Sequence, residues 1–173
     1  YDFPKLMTGS LGTLGILTQM TLKVRPIPEA SELVCIPYAN PESLASALER
    51  LNTSGTRPIA IDVFNRSGAK LAGESLGLPS ANWVLVVGFE DNTGSVTWQV
   101  DRLMLELGKT DVVIHEGDHA EPLWAALTQY QALEAGAVTF VANLRPSMIA
   151  PFLKDIDPAL WAVQAHAGNG TVR

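Results

Sequence analysis

The chain has 173 residues, of which 47% are hydrophobic and 17% charged, with a formal net charge of −6 and one cysteine. That length can bury a real core within one domain, and the composition is globular rather than disordered. The acidic balance argues against a nucleic-acid surface, no apolar run approaches the roughly 18 residues of a membrane span, and lone Cys35 excludes an internal disulfide or a multi-cysteine metal site.

The chain opens on Tyr1-Asp2 with no initiator Met, which reads as the start of a fragment. The first distinctive stretch is Gly9-Ser10-Leu11-Gly12-Thr13-Leu14-Gly15-Ile16. Its evenly spaced glycines let backbone N–H groups approach a ligand without Cβ interference. It lacks the Lys-Ser or Lys-Thr of a P-loop and is not a Gly-x-Gly-x-x-Gly turn, so spacing alone favours a structural turn. Leu17 to Val24 is rich in β-formers and predicts a strand, stopped by Arg25-Pro26-Ile27-Pro28.

Leu33 to Tyr38 predicts a short apolar strand, in which Cys35 is a buried, unreactive thiol. Asn40-Pro41 is an N-cap with proline at the first helical position, and Leu44, Ala47, Leu48 and Leu51 share one helical face, with Gly55 as the stop. Ile59 to Asn65 alternates as a half-buried strand. Arg66 to Asn82 reads as a mostly irregular connection with room for one short helical turn. Trp83 to Phe89 is continuously apolar, as in a central strand. Val96, Val100, Leu103 and Leu107 form the next helical stripe, closed by Gly108, and Asp111 to His115 is another strand.

This order, strand, helix, strand, strand, helix, strand, predicts an α+β, ferredoxin-like antiparallel sheet with helices on one face and the other left for a partner. A helix from Glu121 to Leu133 follows, with Leu123, Leu127 and Tyr130 inward. Then come a strand Val138 to Asn143, a short helix Ser147 to Leu153 that Pro151 should kink, and a strand Trp161 to His166. These elements read as a second, partial copy of the same layout.

In a strand Trp161 to His166, Gln164 and His166 share one face. The imidazole then stands at the strand end, before Ala167-Gly168-Asn169-Gly170, where it could take a proton from a hydroxyl; the bland alternative is a satisfied or surface histidine. Asn143 and Arg145, at the end of the preceding strand, could face the same cavity. Arg145 could pair with a carboxylate there, or simply start a helix at the surface. His115 and His119 have the i, i+4 spacing of a helical zinc pair, but Gly117 breaks that geometry. Trp83, Trp98, Trp124 and Trp161 are core and interface anchors.

The run from Tyr1-Asp2-Phe3-Pro4-Lys5-Leu6 through the glycines to Lys23-Val24-Arg25-Pro26 resembles the end of the FAD-binding domain in FAD-linked oxidases of the vanillyl-alcohol oxidase type. Within that family it is similar to the FAD-binding E-type subunit of bacterial glycolate oxidase. Gln164-Ala165-His166-Ala167-Gly168-Asn169-Gly170-Thr171-Val172-Arg173 resembles the same family's late histidine-glycine segment. The resemblance implies FAD as cofactor, with Gly9, Ser10, Gly12, Thr13, Gly15 and Ile16 along its adenosine diphosphate half through main-chain contacts. Many relatives carry an acidic residue where Leu11 stands. It further implies a fragment, with residues 1–28 the tail of an FAD-binding domain and 29–173 a cap or substrate domain, which alone should bind FAD poorly.

The family's D-type members carry His-x-Gly-Asp-Gly-Asn-x-His at the late segment. Here Asn169 replaces Asp, Thr171 replaces Asn and Arg173 replaces the second His, so no metal is expected. The implied activity is oxidation of a 2-hydroxy acid, glycolate to glyoxylate. His166 would be catalytic and Gln164, Asn143 and Arg145 substrate-binding. The implied partners are a sister flavin subunit and an iron–sulfur subunit, in the cytoplasm or peripheral at the inner membrane through them. The alternative from another class is a stand-alone ferredoxin-like ligand-binding or protein-interaction module without catalysis.

Overall fold

The computed structural model describes residues 3–24, 26–132 and 138–173. Tyr1, Asp2, Arg25 and Leu133, which enter the expectations above, lie outside them. A short helix α1 (Phe3–Met7) begins an arm whose apolar side chains face solvent: Leu11 is 95% exposed, Ile16 91% and Ile27 93%. The strand expected at Leu17 to Val24 does not form, and the segment runs without pairing. β-propensity describes fit to a sheet, and a strand needs a neighbouring backbone to take up its N–H and C=O groups.

The body starts with β1 (Ala30–Tyr38) and α2 (Pro41–Asn52), the latter capped by Asn40, whose side chain accepts from the Ser43 amide at 2.9 Å. β2 (Ala60–Asn65) leads into α3 (Arg66–Ala72), then β3 (Trp83–Asp91), α4 (Thr93–Leu107) and β4 (Val113–Glu116). α4 ends on Gly108, whose φ of 60° is the left-handed conformation that closes a helix. These strands lie in the order β4-β1-β3-β2, each antiparallel to its neighbour, as the split β-α-β order predicts. β3 is central, which explains its unbroken apolar run.

The connection at 66–82 is more regular than expected, because Asn65 caps α3: its Oδ1 accepts from the Gly68 amide at 2.7 Å. On one sheet face Leu44, Leu51, Val96 and Leu103 from α2 and α4 pack against Val34, Ile36, Leu85 and Val87. The opposite face is not left bare. Leu33, Cys35, Phe64, Val84 and Val86 are covered there by α5 (Glu121–Gln129), through Leu123 and Leu127, and by Tyr130 beyond it. Trp124 of α5 lies so close over Gly88 that a Cβ there would collide with its ring, and its Nε1 donates to Ser31 Oγ at 2.8 Å.

The last third lengthens the same sheet instead of building a second one. β5 (Ala142–Asn143), α6 (Ile149–Lys154), β6 (Gln164–His166) and β7 (Thr171–Val172) give the full order β4-β1-β3-β2-β6-β7-β5. The strands expected at 138–143 and 161–166 are cut to their last two and three residues. Pro151 does not kink α6, because it falls in the first turn, where backbone N–H groups have no helical acceptor. Among the described residues no helix is long and apolar enough to cross a membrane.

Candidate active site

β6 hangs on β2 by the pairs Asp62↔His166, Val63↔Ala165 and Phe64↔Gln164. Cross-strand partners share a face, so Asp62, His166, Gln164 and Phe64 all point toward α5. Asp62 is 3% exposed and Gln164 fully buried. His166 Nδ1 lies 2.5 Å from Asp62 Oδ1, and Gln164 Nε2 donates to the same oxygen at 3.1 Å and to the Leu127 carbonyl at 2.8 Å. With two acceptors before it, the Gln164 nitrogen is fixed in place, and its Oε1 is left buried without a donor among the described residues.

The other ring nitrogen, His166 Nε2, meets Arg173 Nη1. A guanidinium only donates, so Nε2 must be the acceptor and Nδ1 carries the proton toward Asp62. The result is a carboxylate–imidazole–guanidinium line, with Asp62 on Nδ1 and Arg173 on Nε2. The turn that folds β7 back onto β6 depends on Gly170, whose φ is 88° and whose Cβ position would collide with the Leu144 carbonyl. That hairpin is what returns Arg173 to His166.

Not every expected site residue arrives there. His166, with a side chain 21% exposed, and Gln164 are brought together with Asp62. Gln164 is sealed in by protein partners, so its amide ties β6 to α5. Asn143 lies on the same sheet row as His166, but two strands away through Thr171, roughly 10 Å at ordinary strand spacing. Its Oδ1 accepts from Thr171 Oγ1 at 3.3 Å. Arg145 is exposed just before Pro146, as in the plain helix-start reading. His115 ends in β4 while His119 lies in a separate 3₁₀ turn, and among the described residues no His, Cys, Asp and Glu cluster could hold a metal ion.

Gly9, Ser10, Gly12, Thr13, Gly15 and Ile16 all sit in the arm, exposed except for half-buried Ser10. Gly9 and Gly12 adopt φ of 79° and 77°, and nothing lies within 4 Å of where their Cβ atoms would be. Thr13 closes a turn, its amide and hydroxyl both donating to the Ser10 carbonyl. The main chain at Gly9 and Gly12 is thus open to close approach by a ligand, and no charged side chain from Gly9 to Ile16 is there to pair with a pyrophosphate.

Asp62, Arg173 and Tyr130 were not legible as site residues. Asp62 carried a faint signal, an acid among the alternating residues of an otherwise apolar strand. Arg173 and Tyr130 line a cleft of about 630 Å³ beside β6 and β7, together with Phe140, Phe152, Trp161 and Val163 among others.

Comparison with known proteins gives this geometry a context. An uncharacterised FAD-linked oxidoreductase of Mycobacterium tuberculosis is 26% identical over 99% of this chain and 42% of its own length. A D-lactate dehydrogenase of Anaerostipes hadrus is 28% identical over 66% of the chain and 27% of its own. The glycolate oxidase subunit GlcD of Bacillus subtilis is 26% identical over 86% of the chain and 32% of its own. The chain thus spans less than half the length of these curated relatives. The family described as FAD linked oxidases, C-terminal domain, matches residues 27–160, which takes in the sheet and helices from β1 through α6. By that match the chain belongs to the FAD-linked oxidases, a family whose cofactor is FAD.

Proposed function

We propose that this chain is the substrate-side part of an FAD-dependent oxidoreductase subunit that oxidises a 2-hydroxy acid to a 2-oxo acid. Glycolate, oxidised to glyoxylate, is the acid the sequence resemblance points to. Residues 29–173 then form the cap or substrate domain and 1–28 the tail of the flavin domain, with Gly9 to Ile16 lying against the cofactor. FAD, when bound, supplies the two-electron oxidising power. The working assembly includes a sister flavin subunit and an iron–sulfur subunit, in the cytoplasm or held peripherally at the inner membrane.

The observation that carries this reading is the contact of His166 Nδ1 with the buried Asp62 carboxylate at 2.5 Å. Asp62 occupies Nδ1, so Nε2 is the nitrogen able to take the substrate hydroxyl proton. Arg173, now on Nε2, is the cation beside the base and can turn to a substrate carboxylate. Asn143 and Arg145 would contribute further polar contacts to the substrate if they turn toward the site.

The test is flavin reduction by glycolate in stopped flow, with the full-length FAD-loaded protein and its His166→Gln variant. A loss of at least about a hundredfold in the reduction rate is expected for removal of a general base. Unchanged reduction kinetics would remove His166 from the chemistry, and a protein that binds the acid without reducing flavin would return the chain to a binding module.

A further inference from the structure

We infer that the cleft at the β6–β7 end binds a monocarboxylate with a sizeable apolar body, which sets glycolate aside as the preferred acid in favour of 2-hydroxy acids with a long or aromatic side chain. The inference rests on the oxidoreductase reading for the word substrate, but the binding site stands on its own observations. The cleft holds about 630 Å³, inside the roughly 300–1,000 Å³ of ordinary small-molecule sites and far more than glycolate or lactate fills. Its walls are apolar: Phe152, Ile156, Leu160, Val163 and the pair Phe140 and Trp161, whose rings meet edge-on at 5.5 Å.

Two donor-bearing residues, Tyr130 and Arg173, interrupt those walls. Tyr130 is 6% exposed, and its hydroxyl is buried with no hydrogen-bond partner among the described residues. Burial pushes that phenol up to about 12, so it remains a donor across the working range. Arg173 Nε is likewise buried and without a partner among the described residues, while Nη1 of the same guanidinium reaches His166. A buried donor left without an acceptor is costly, and a carboxylate lodged at this end of the cleft would give both side chains, once turned toward it, charge-assisted bonds. It would also neutralise the guanidinium whose Nη1 meets His166.

The charge on the rim selects among acids. Asp155 and Asp157 line the exposed side of the cleft, and Asp157 holds the Ala159 amide at 2.9 Å. A second carboxylate at the far end of the ligand would meet them, so dicarboxylates are disfavoured.

Isothermal titration calorimetry on this chain tests the cleft without any flavin, using 2-hydroxyoctanoate, octanoate, 1-octanol, glycolate and 2-hydroxyglutarate. Octanoate and 2-hydroxyoctanoate should bind, with glycolate, octanol and 2-hydroxyglutarate each weaker by at least about tenfold. Arg173→Gln should weaken octanoate about tenfold or more, the scale of a lost charge-assisted bond. Leu160→Ser, a change at a position 77% exposed that leaves the core intact, should weaken octanoate while leaving glycolate unaltered. Equal affinity for glycolate and octanoate, or octanoate binding untouched by Arg173→Gln, would overturn the site. The two readings fail separately. Octanoate binding with flavin reduced by neither glycolate nor 2-hydroxyoctanoate in the full-length FAD-loaded protein sinks the oxidoreductase reading alone. Flavin reduction by glycolate that octanoate does not inhibit sinks the cleft alone.

Discussion

Asn65 ties the late part of the chain to the early sheet, and its removal should be felt more than that of any surface polar residue. It is fully buried. Its Oδ1 accepts from the Gly68 and Val163 amides at 2.7 and 2.9 Å, and its Nδ2 donates to the Trp161 carbonyl at 2.7 Å. Asn65→Ala removes a helix cap worth about 1 kcal/mol and two further bonds of about 1 kcal/mol each, and it strands a buried Val163 N–H. The sum is about 3–4 kcal/mol, or a melting point lower by about 10 °C for a chain of this size. Asn65→Asp keeps both acceptor contacts but turns a carboxylate oxygen toward the Trp161 carbonyl, so it should lose about half as much. Thermal unfolding followed by far-ultraviolet circular dichroism, with urea midpoints alongside, measures both. An Asn65→Ala protein melting within about 2 °C of the parent would refute the assignment of Asn65 as the tie between α3 and the strand before β6.

Other expectations follow from burial and charge. Leu103, fully buried between α4 and the sheet, should cost about 2–5 kcal/mol when cut to Ala, read as a shift in urea midpoint. Burial pushes Cys35, Tyr38 and Tyr130 up to about 12. The unfolded chain releases those protons first, so stability should hold up to about pH 9 and fall as pH rises toward 12, and Cys35 should resist alkylation until the protein unfolds. Glu32 is raised by burial and then by Glu116, its partner across the β1–β4 pair. Its contribution therefore improves as pH falls, and Glu32→Lys should add about 0.5 kcal/mol near neutrality, lost at high salt.

The first half of the fold was readable because its signals are local. The alternation at Ile59 to Asn65, the stripe from Val96 to Leu107 and the caps at Asn40 and Gly108 each depend on residues within a turn or two. The arm misled for the opposite reason: Leu17 to Val24 has strand composition, but composition does not supply a neighbour. Asn65 was read only as a strand end, although Asn65-Arg66-Ser67-Gly68 also has the form of a helix start. Gln164 and His166 were correctly put on one face. What they face was hidden, since Asp62 lies 102 residues from Gln164 and no short-range pattern records that distance. Arg173 stood out only as a departure from a family motif, and the fold gives that departure a place against His166.

The seam between β2 and β6 has a consequence for how the molecule breathes. It is three pairs long and closes a loop of about a hundred residues, whereas β1 and β3 are joined over nine pairs. Closing so large a loop carries an entropic toll that few contacts there repay, so the cheapest opening is detachment of the late hairpin from an intact front half. Amide protons of β6 and β7 should then exchange with deuterium well before those of β1 and β3. An occupied cleft would slow that exchange selectively, because the ligand would bridge the piece that leaves and the piece that stays.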